Sequence, residues 1–81
     1  MHKHKILSGK DIVSIFKLFG FIIVAQKGSH MKLRRVLSSG EKQTLTIPYH
    51  AELDTGTVHA IYRQASHYIP EYELKKYFYN E

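Results

Sequence analysis

Apolar residues recur along the chain with two different periods, and the period changes at Gly20. Ile12, Ile15, Phe16 and Phe19 fall at i, i+3, i+4 and i+7, one stripe of a helix, while Lys10, Ser14 and Lys17 take the outer face. Ser8-Gly9-Lys10-Asp11 before them has capping-box spacing: a hydroxyl that accepts from the third helical N–H, and an acid three residues on that reaches back. Gly20 ends the helix, because a residue without Cβ adopts the left-handed conformation common just past a helix. Phe21 to Gln26 is short, β-branched and bounded by glycines, so it reads as a mostly buried strand.

Lys27-Gly28-Ser29 then turns the chain into an alternating segment from His30 to Leu37. Met31, Leu33 and Leu37 face a core, His30, Lys32 and Arg34 point away from it, and Arg35 breaks the apolar register. After the turn cluster Ser38-Ser39-Gly40-Glu41, Thr44 to Ile47 supplies a third strand with Leu45 and Ile47 inward, ended by Pro48. Three consecutive strands joined by tight turns make an antiparallel meander. A polar connector, Tyr49 to Leu53, leads to a second helix capped by Asp54 or Thr55, with Val58, Ile61, Tyr62 and Ala65 on one stripe. Pro70 suits the first position of a last short helix, docked by Leu74, Tyr77 and Phe78. The predicted fold is α+β: a three-stranded antiparallel sheet with helices on one face and the other face open to solvent. No internal repeat or linker divides the chain, so residues 1–81 are expected to form a single domain, with 1–7 a flexible basic N-terminus and 67–81 a C-terminal extension.

Composition narrows what such a domain can do. The chain has 81 residues, no cysteine and no tryptophan, and twelve Lys and Arg against seven Asp and Glu give a net charge of +5. A chain this short buries only about 60–65% of the surface its unfolded form exposes, which leaves one core and no room for a large cofactor site. Without cysteine there is no disulfide scaffold, no Cys-based zinc site and no thiol nucleophile. The apolar stretch Phe19 to Ala25 is far short of the ~20 residues of a membrane span, and no signal-peptide h-region follows the basic start. A reducing, cytoplasmic setting is expected.

The open sheet face carries the basic residues, and polyanions are its natural partner, because each phosphate neutralised by Lys or Arg releases condensed counterions. Six histidines raise metal and catalytic readings together. The metal reading is the weaker: His2-x-His4 lies at the chain end, His59 and His67 are eight apart, and no carboxylate stands at a ligand spacing. His30 differs, since it follows Lys27-Gly28-Ser29 at a strand entrance, where a turn brings phosphate close to backbone N–H groups. Cutting RNA without metal needs a base for the ribose 2′-OH proton, cations for the charged transition state and an acid for the leaving 5′-oxygen. His30 can serve as base or acid, and Lys27, Lys32 and Arg34 are the nearby cations. His50 reads two ways, as the acid partner of His30 or as a residue at a strand end. Gly28-Ser29-His30-Met31 also spells a tetrapeptide left by cloning vectors, but it lies inside a continuous strand-turn-strand pattern and is read as native.

With these residues in place, the chain resembles the HicA toxins, small mRNA interferases of bacterial type II toxin-antitoxin systems. The resemblance rests on Ser8-Gly9-Lys10-Asp11, Gly20-Phe21, Gln26-Lys27-Gly28-Ser29-His30, Thr46-Ile47-Pro48 with His50, Gly56-Thr57 and Arg63-Gln64-Ala65, over about residues 7–66. It implies a double-stranded-RNA-binding-domain-like fold, His30 as the catalytic residue of a ribonuclease that cuts mRNA, and a HicB-like antitoxin partner that covers the site, with Lys27, Gly28 and Ser29 as substrate-side neighbours. From the residues themselves, Lys32 and Arg34 on the basic face are expected to bind RNA, and no cofactor or metal is expected. Two departures stand out: Met31 occupies the place where many members carry a second His, and Arg63-Gln64-Ala65 is followed by Ser66 where many relatives have Gly. By strand alternation Met31 points to the face opposite His30. The alternatives to an endoribonuclease are a non-catalytic RNA-binding module of the same fold, or a small interaction protein whose basic face answers an acidic partner.

Overall fold

The computed structural model describes residues 3–4 and 6–80. Eight elements follow in order: β1 (Lys3–His4), α1 (Gly9–Leu18), β2 (Ile22–Lys27), β3 (His30–Val36), β4 (Lys42–Pro48), α2 (Thr55–Ala65), α3 (Glu71–Phe78) and β5 (Tyr79–Asn80). β2, β3 and β4 form an antiparallel meander in that spatial order, with the helices on one face, and the molecule is only 17 Å thick along its shortest axis. That is close to one sheet and one helix layer. The α+β architecture is the expected one, consistent with a double-stranded-RNA-binding-domain-like fold.

α1 begins as its sequence dictates. The Ser8 N–H donates to Asp11 Oδ2 at 2.9 Å and the Asp11 N–H donates to Ser8 Oγ at 3.0 Å, so two otherwise unpaired donors of the first turn are satisfied reciprocally. Accepting the Ser8 N–H, with the Ser8 hydroxyl as a second polar partner, holds the Asp11 carboxyl below its ordinary range. α2 is capped by Asp54, whose Oδ1 accepts the Thr57 N–H at 2.7 Å, a contact that also lowers its carboxyl pKa. α1 buries Ile12, Val13, Ile15 and Phe16, and α2 buries Val58, Ile61, Tyr62 and Ala65.

α3 is part of the core. Leu74 and Phe78 are fully buried, and the Phe78 ring packs against Phe16 at 5.9 Å and Tyr62 at 5.5 Å between centroids. Pro70 is the cap residue of α3, one position before the helix starts, so its fixed φ shapes the entry to the first turn. The Tyr62 hydroxyl donates to Glu71 Oε1 at 3.2 Å, and burial together with that carboxylate pushes its pKa up to about 12. At the chain start, where a flexible end is expected, β1 pairs with β5 in a short antiparallel ladder, Lys3 opposite Asn80 and His4 opposite Tyr79.

The largest departure from the sequence reading is β2. A mostly buried strand is expected there, yet every residue from Ile22 to Lys27 is exposed, and only Phe21, just before the strand, enters the core at 1% exposure. β2 is an edge strand beside β3, and its register shifts between Ile23 and Ala25, which marks a bulge at Val24. β3 alternates as expected through Met31 and Leu33, but the next inward position holds Arg35. Its guanidinium donates to Phe19 O at 2.9 Å, Tyr68 O at 3.1 Å and Gln43 Oε1 at 2.7 and 3.0 Å, and it lies 4.9 Å from the centroid of the Phe21 ring. Gln43, buried on β4 opposite Arg35, passes the network on to Glu41 Oε2 at 3.1 Å. Arg35 therefore ties the sheet to the end of α1 and to the loop after α2, through a fork that a single ammonium could not reproduce.

Candidate active site

The β2–β3 turn is a two-residue hairpin, Gly28-Ser29, in which Gly28 has φ +59 and no non-glycine residue of the described chain has positive φ. A positive φ at the first central position alone is the pattern that favours glycine there. The Gln26 amide donates to Gly28 O at 3.2 Å and braces the turn. His30 follows as the first residue of β3, exposed, with Lys27 opposite it on β2 and Pro48 opposite it on β4.

The β3–β4 register then decides where His50 lies. Because Pro48 pairs with His30, the chain leaving β4 passes over the turn: the Tyr49 N–H donates to Ser29 O, and His50 Nε2 lies 3.2 Å from Ser29 Oγ. The direction of that last hydrogen bond follows the imidazole tautomer. Ser29, next to His30 in the chain, thus holds the His50 segment with both its backbone carbonyl and its hydroxyl.

The N-terminus of α1 closes the same corner. The Gly9 N–H donates to His50 O at 2.9 Å, and a Cβ at Gly9 would stand 2.3 Å from Pro48 O, 2.6 Å from Tyr49 Cα and 3.0 Å from His50 N. Only glycine lets the first helical turn approach the backbone of residues 48–50 this closely. The Leu53 N–H donates to Leu7 O at 3.0 Å and extends the contact toward α2. The Ser8-Gly9 pair, read from sequence as a helix start, has this second role in holding His50. Its signal was a glycine at a first helical position, which helix formation alone does not require.

Of the residues singled out from sequence, Lys27, Gly28, Ser29, His30 and His50 come together at one end of the sheet. Lys32 and Arg34 share the open face with His30 but step away from it along β3, about 7 and 14 Å at strand rise. Lys32 is exposed, while Arg34 is half-buried with its Nε 3.5 Å from Thr44 Oγ1. From residue 12 to residue 40 the chain has no Asp or Glu, so the β2–β3 hairpin presents cations with no carboxylate of its own. Two recesses of about 190 and 230 Å³ lie elsewhere, between α2 and α3, lined by His59, Tyr62, Arg63, Glu71 and Lys75 among others. None of the sequence-predicted site residues lines them.

An α+β domain with a basic, open sheet face and with His30 and His50 at one turn is the class the fold and site define. A family model described as the HicA toxin of bacterial toxin-antitoxin matches residues 9–66, and the chain belongs to that family of toxins. No curated protein and no solved structure gave a match. The matched span begins at Gly9 and ends just past α2, and so contains Gly9, Lys27 to His30 and His50. Among the described residues no helix is long and apolar enough to cross a membrane.

Proposed function

We propose that this toxin is a metal-independent endoribonuclease that cleaves mRNA in the cytoplasm, with His30 as its catalytic residue, and that a HicB-like antitoxin neutralises it. The observation that carries the reading is the exposed His30 at the head of β3, beside a turn whose serine also holds the imidazole of His50. Two imidazoles at one turn can divide the two proton transfers of RNA cleavage. One takes the proton of the ribose 2′-OH as its oxygen attacks phosphorus. The other gives a proton to the 5′-oxygen as the P–O5′ bond breaks, leaving a 2′,3′-cyclic phosphate and a 5′-hydroxyl. Lys27 and the turn N–H groups face the charge that develops on the non-bridging oxygens, and Lys32 and Arg34 hold the strand along the sheet.

The test is cleavage in EDTA of a labelled single-stranded RNA and of the same sequence made with 2′-deoxyribose. Cleavage of RNA alone, with cyclic phosphate ends, is expected. Cleavage of the deoxy strand would refute 2′-OH attack, and binding of both strands with no cleavage of either would make the chain an RNA-binding module.

A further inference from the structure

The exposed run on β2 points outward with no strand of the described chain beyond it. Ile22, Ile23 and Val24 are 62, 40 and 41% exposed, three large apolar side chains in succession on a sheet edge whose outer backbone groups face no ladder. Such an edge is a template for another strand. We propose that the outer edge of β2 receives an extended segment of the antitoxin partner, apolar where it passes Ile22 to Val24 and acidic where it flanks the sheet face; this rests on the toxin-antitoxin reading.

Charge selects this occupant over a second copy of the chain. The edge is bordered on the open face by Lys27, Lys32 and Arg34, and no carboxylate occurs from residue 12 to residue 40. An acidic strand therefore meets cations along its length, whereas a second copy would bring together two chains of net charge +5. Six residues of edge are about 20 Å of strand, too small a strip to make a stable interface on its own. A protein partner adds a strand at β2 and gains the rest of its contact area elsewhere.

β2 ends at Lys27, immediately before the Gly28-Ser29 turn and His30. A strand laid along this edge therefore brings its acidic flank to the rim of the candidate active site. Docking at an apolar edge and obstruction of the basic face become one event. The bulge at Val24 limits the ladder to the stretches on either side of it, which favours one register over sliding.

The experiment uses the full chain and the HicB-like antitoxin proposed as its partner. Amide hydrogen exchange is followed for the free toxin and for the complex, and binding is measured for Ile22→Lys and Val24→Lys, exposed positions outside the proposed RNA contacts. Expected are slowing of exchange by at least tenfold at alternate amides of residues 22–27, and at least tenfold weaker antitoxin binding by each variant. Thermal stability and RNA cleavage by the free variants should stay at wild-type levels. Tight binding with unchanged exchange at 22–27 would overturn the docking mode and leave the partner reading intact; no binding of the antitoxin at all would overturn both. A concentration-dependent dimer of the free chain in analytical ultracentrifugation, abolished by Val24→Lys, would assign the edge to a second copy and overturn the proposal.

Discussion

Gly9 and Gly56 both lie in the first turn of a helix, and the structure predicts opposite fates for them when each is replaced by Ala. At Gly56 a methyl meets only Asp54 Oδ1 at 3.4 Å, ordinary contact with a side-chain atom. Gly56→Ala should leave stability within about 0.5 kcal/mol or raise it slightly, since Ala restricts the unfolded chain. At Gly9 the methyl would lie within 3.0 Å of three backbone atoms of residues 48–50, none of which can swing aside as a side-chain tip can. Relief requires α1 and the end of β4 to separate, at an overpacking cost of about 1–3 kcal/mol. Weakening the Gly9 N–H to His50 O bond adds about 1 kcal/mol. Gly9→Ala should therefore lose roughly 2–4 kcal/mol, which lowers the melting temperature by about 8–30 °C in a domain of this size. Urea denaturation of both variants, with the slope checked for two-state behaviour, reads the difference. Equal stability of Gly9→Ala and Gly56→Ala would refute the close approach of α1 to residues 48–50.

Other substitutions probe independent parts of the account. Arg35→Met removes the charged donor to Phe19 O, Tyr68 O and Gln43 Oε1 and should cost about 3 kcal/mol by urea denaturation, with Arg35→Lys recovering only a minor part. The Asp11 and Asp54 carboxyls titrate below their ordinary values in the folded chain, so their stabilisation is complete above the unfolded carboxylate pKa and is lost as pH falls through the folded values. Asp11→Asn with Asp54→Asn should flatten that acid limb of the stability curve. Tyr62 has the opposite sign at the alkaline end: its contribution is present below the ordinary tyrosine value and fades as pH rises toward about 12, and ultraviolet titration of Tyr62→Phe should lack the last tyrosinate to form. Lys32→Ala and Arg34→Ala should weaken RNA binding evenly across sequences and each lower the slope of log affinity against log salt by about one.

The parts of this fold that were legible in the sequence are those set by neighbours a few residues away. Ser8 and Asp11 are three apart, so the capping box is visible without any tertiary knowledge, and the α2 stripe follows from helical spacing alone. β2 was misread because a run such as Phe21 to Ala25 has the composition of a strand buried on both faces, and nothing local shows that it lies at an edge. Arg35 looked like a break in the pattern because its acceptors, Phe19, Gln43 and Tyr68, lie up to 33 residues away. The candidate site divides the same way. Lys27 to His30 is contiguous and could be read directly, whereas the approach of His50 to Ser29 depends on the β3–β4 register, and the role of Gly9 depends on what α1 packs against.

The central claim is that His30 performs chemistry on RNA rather than merely facing it. The most direct measurement is the single-turnover rate of RNA cleavage in EDTA by His30→Ala against the unaltered chain, at equal folded concentration and with RNA affinity measured on the same samples. The account predicts a rate lower by a factor of about 10²–10⁴, the usual contribution of a positioned acid or base, at an affinity within a few-fold of the parent. Equal cleavage by the two proteins would contradict it.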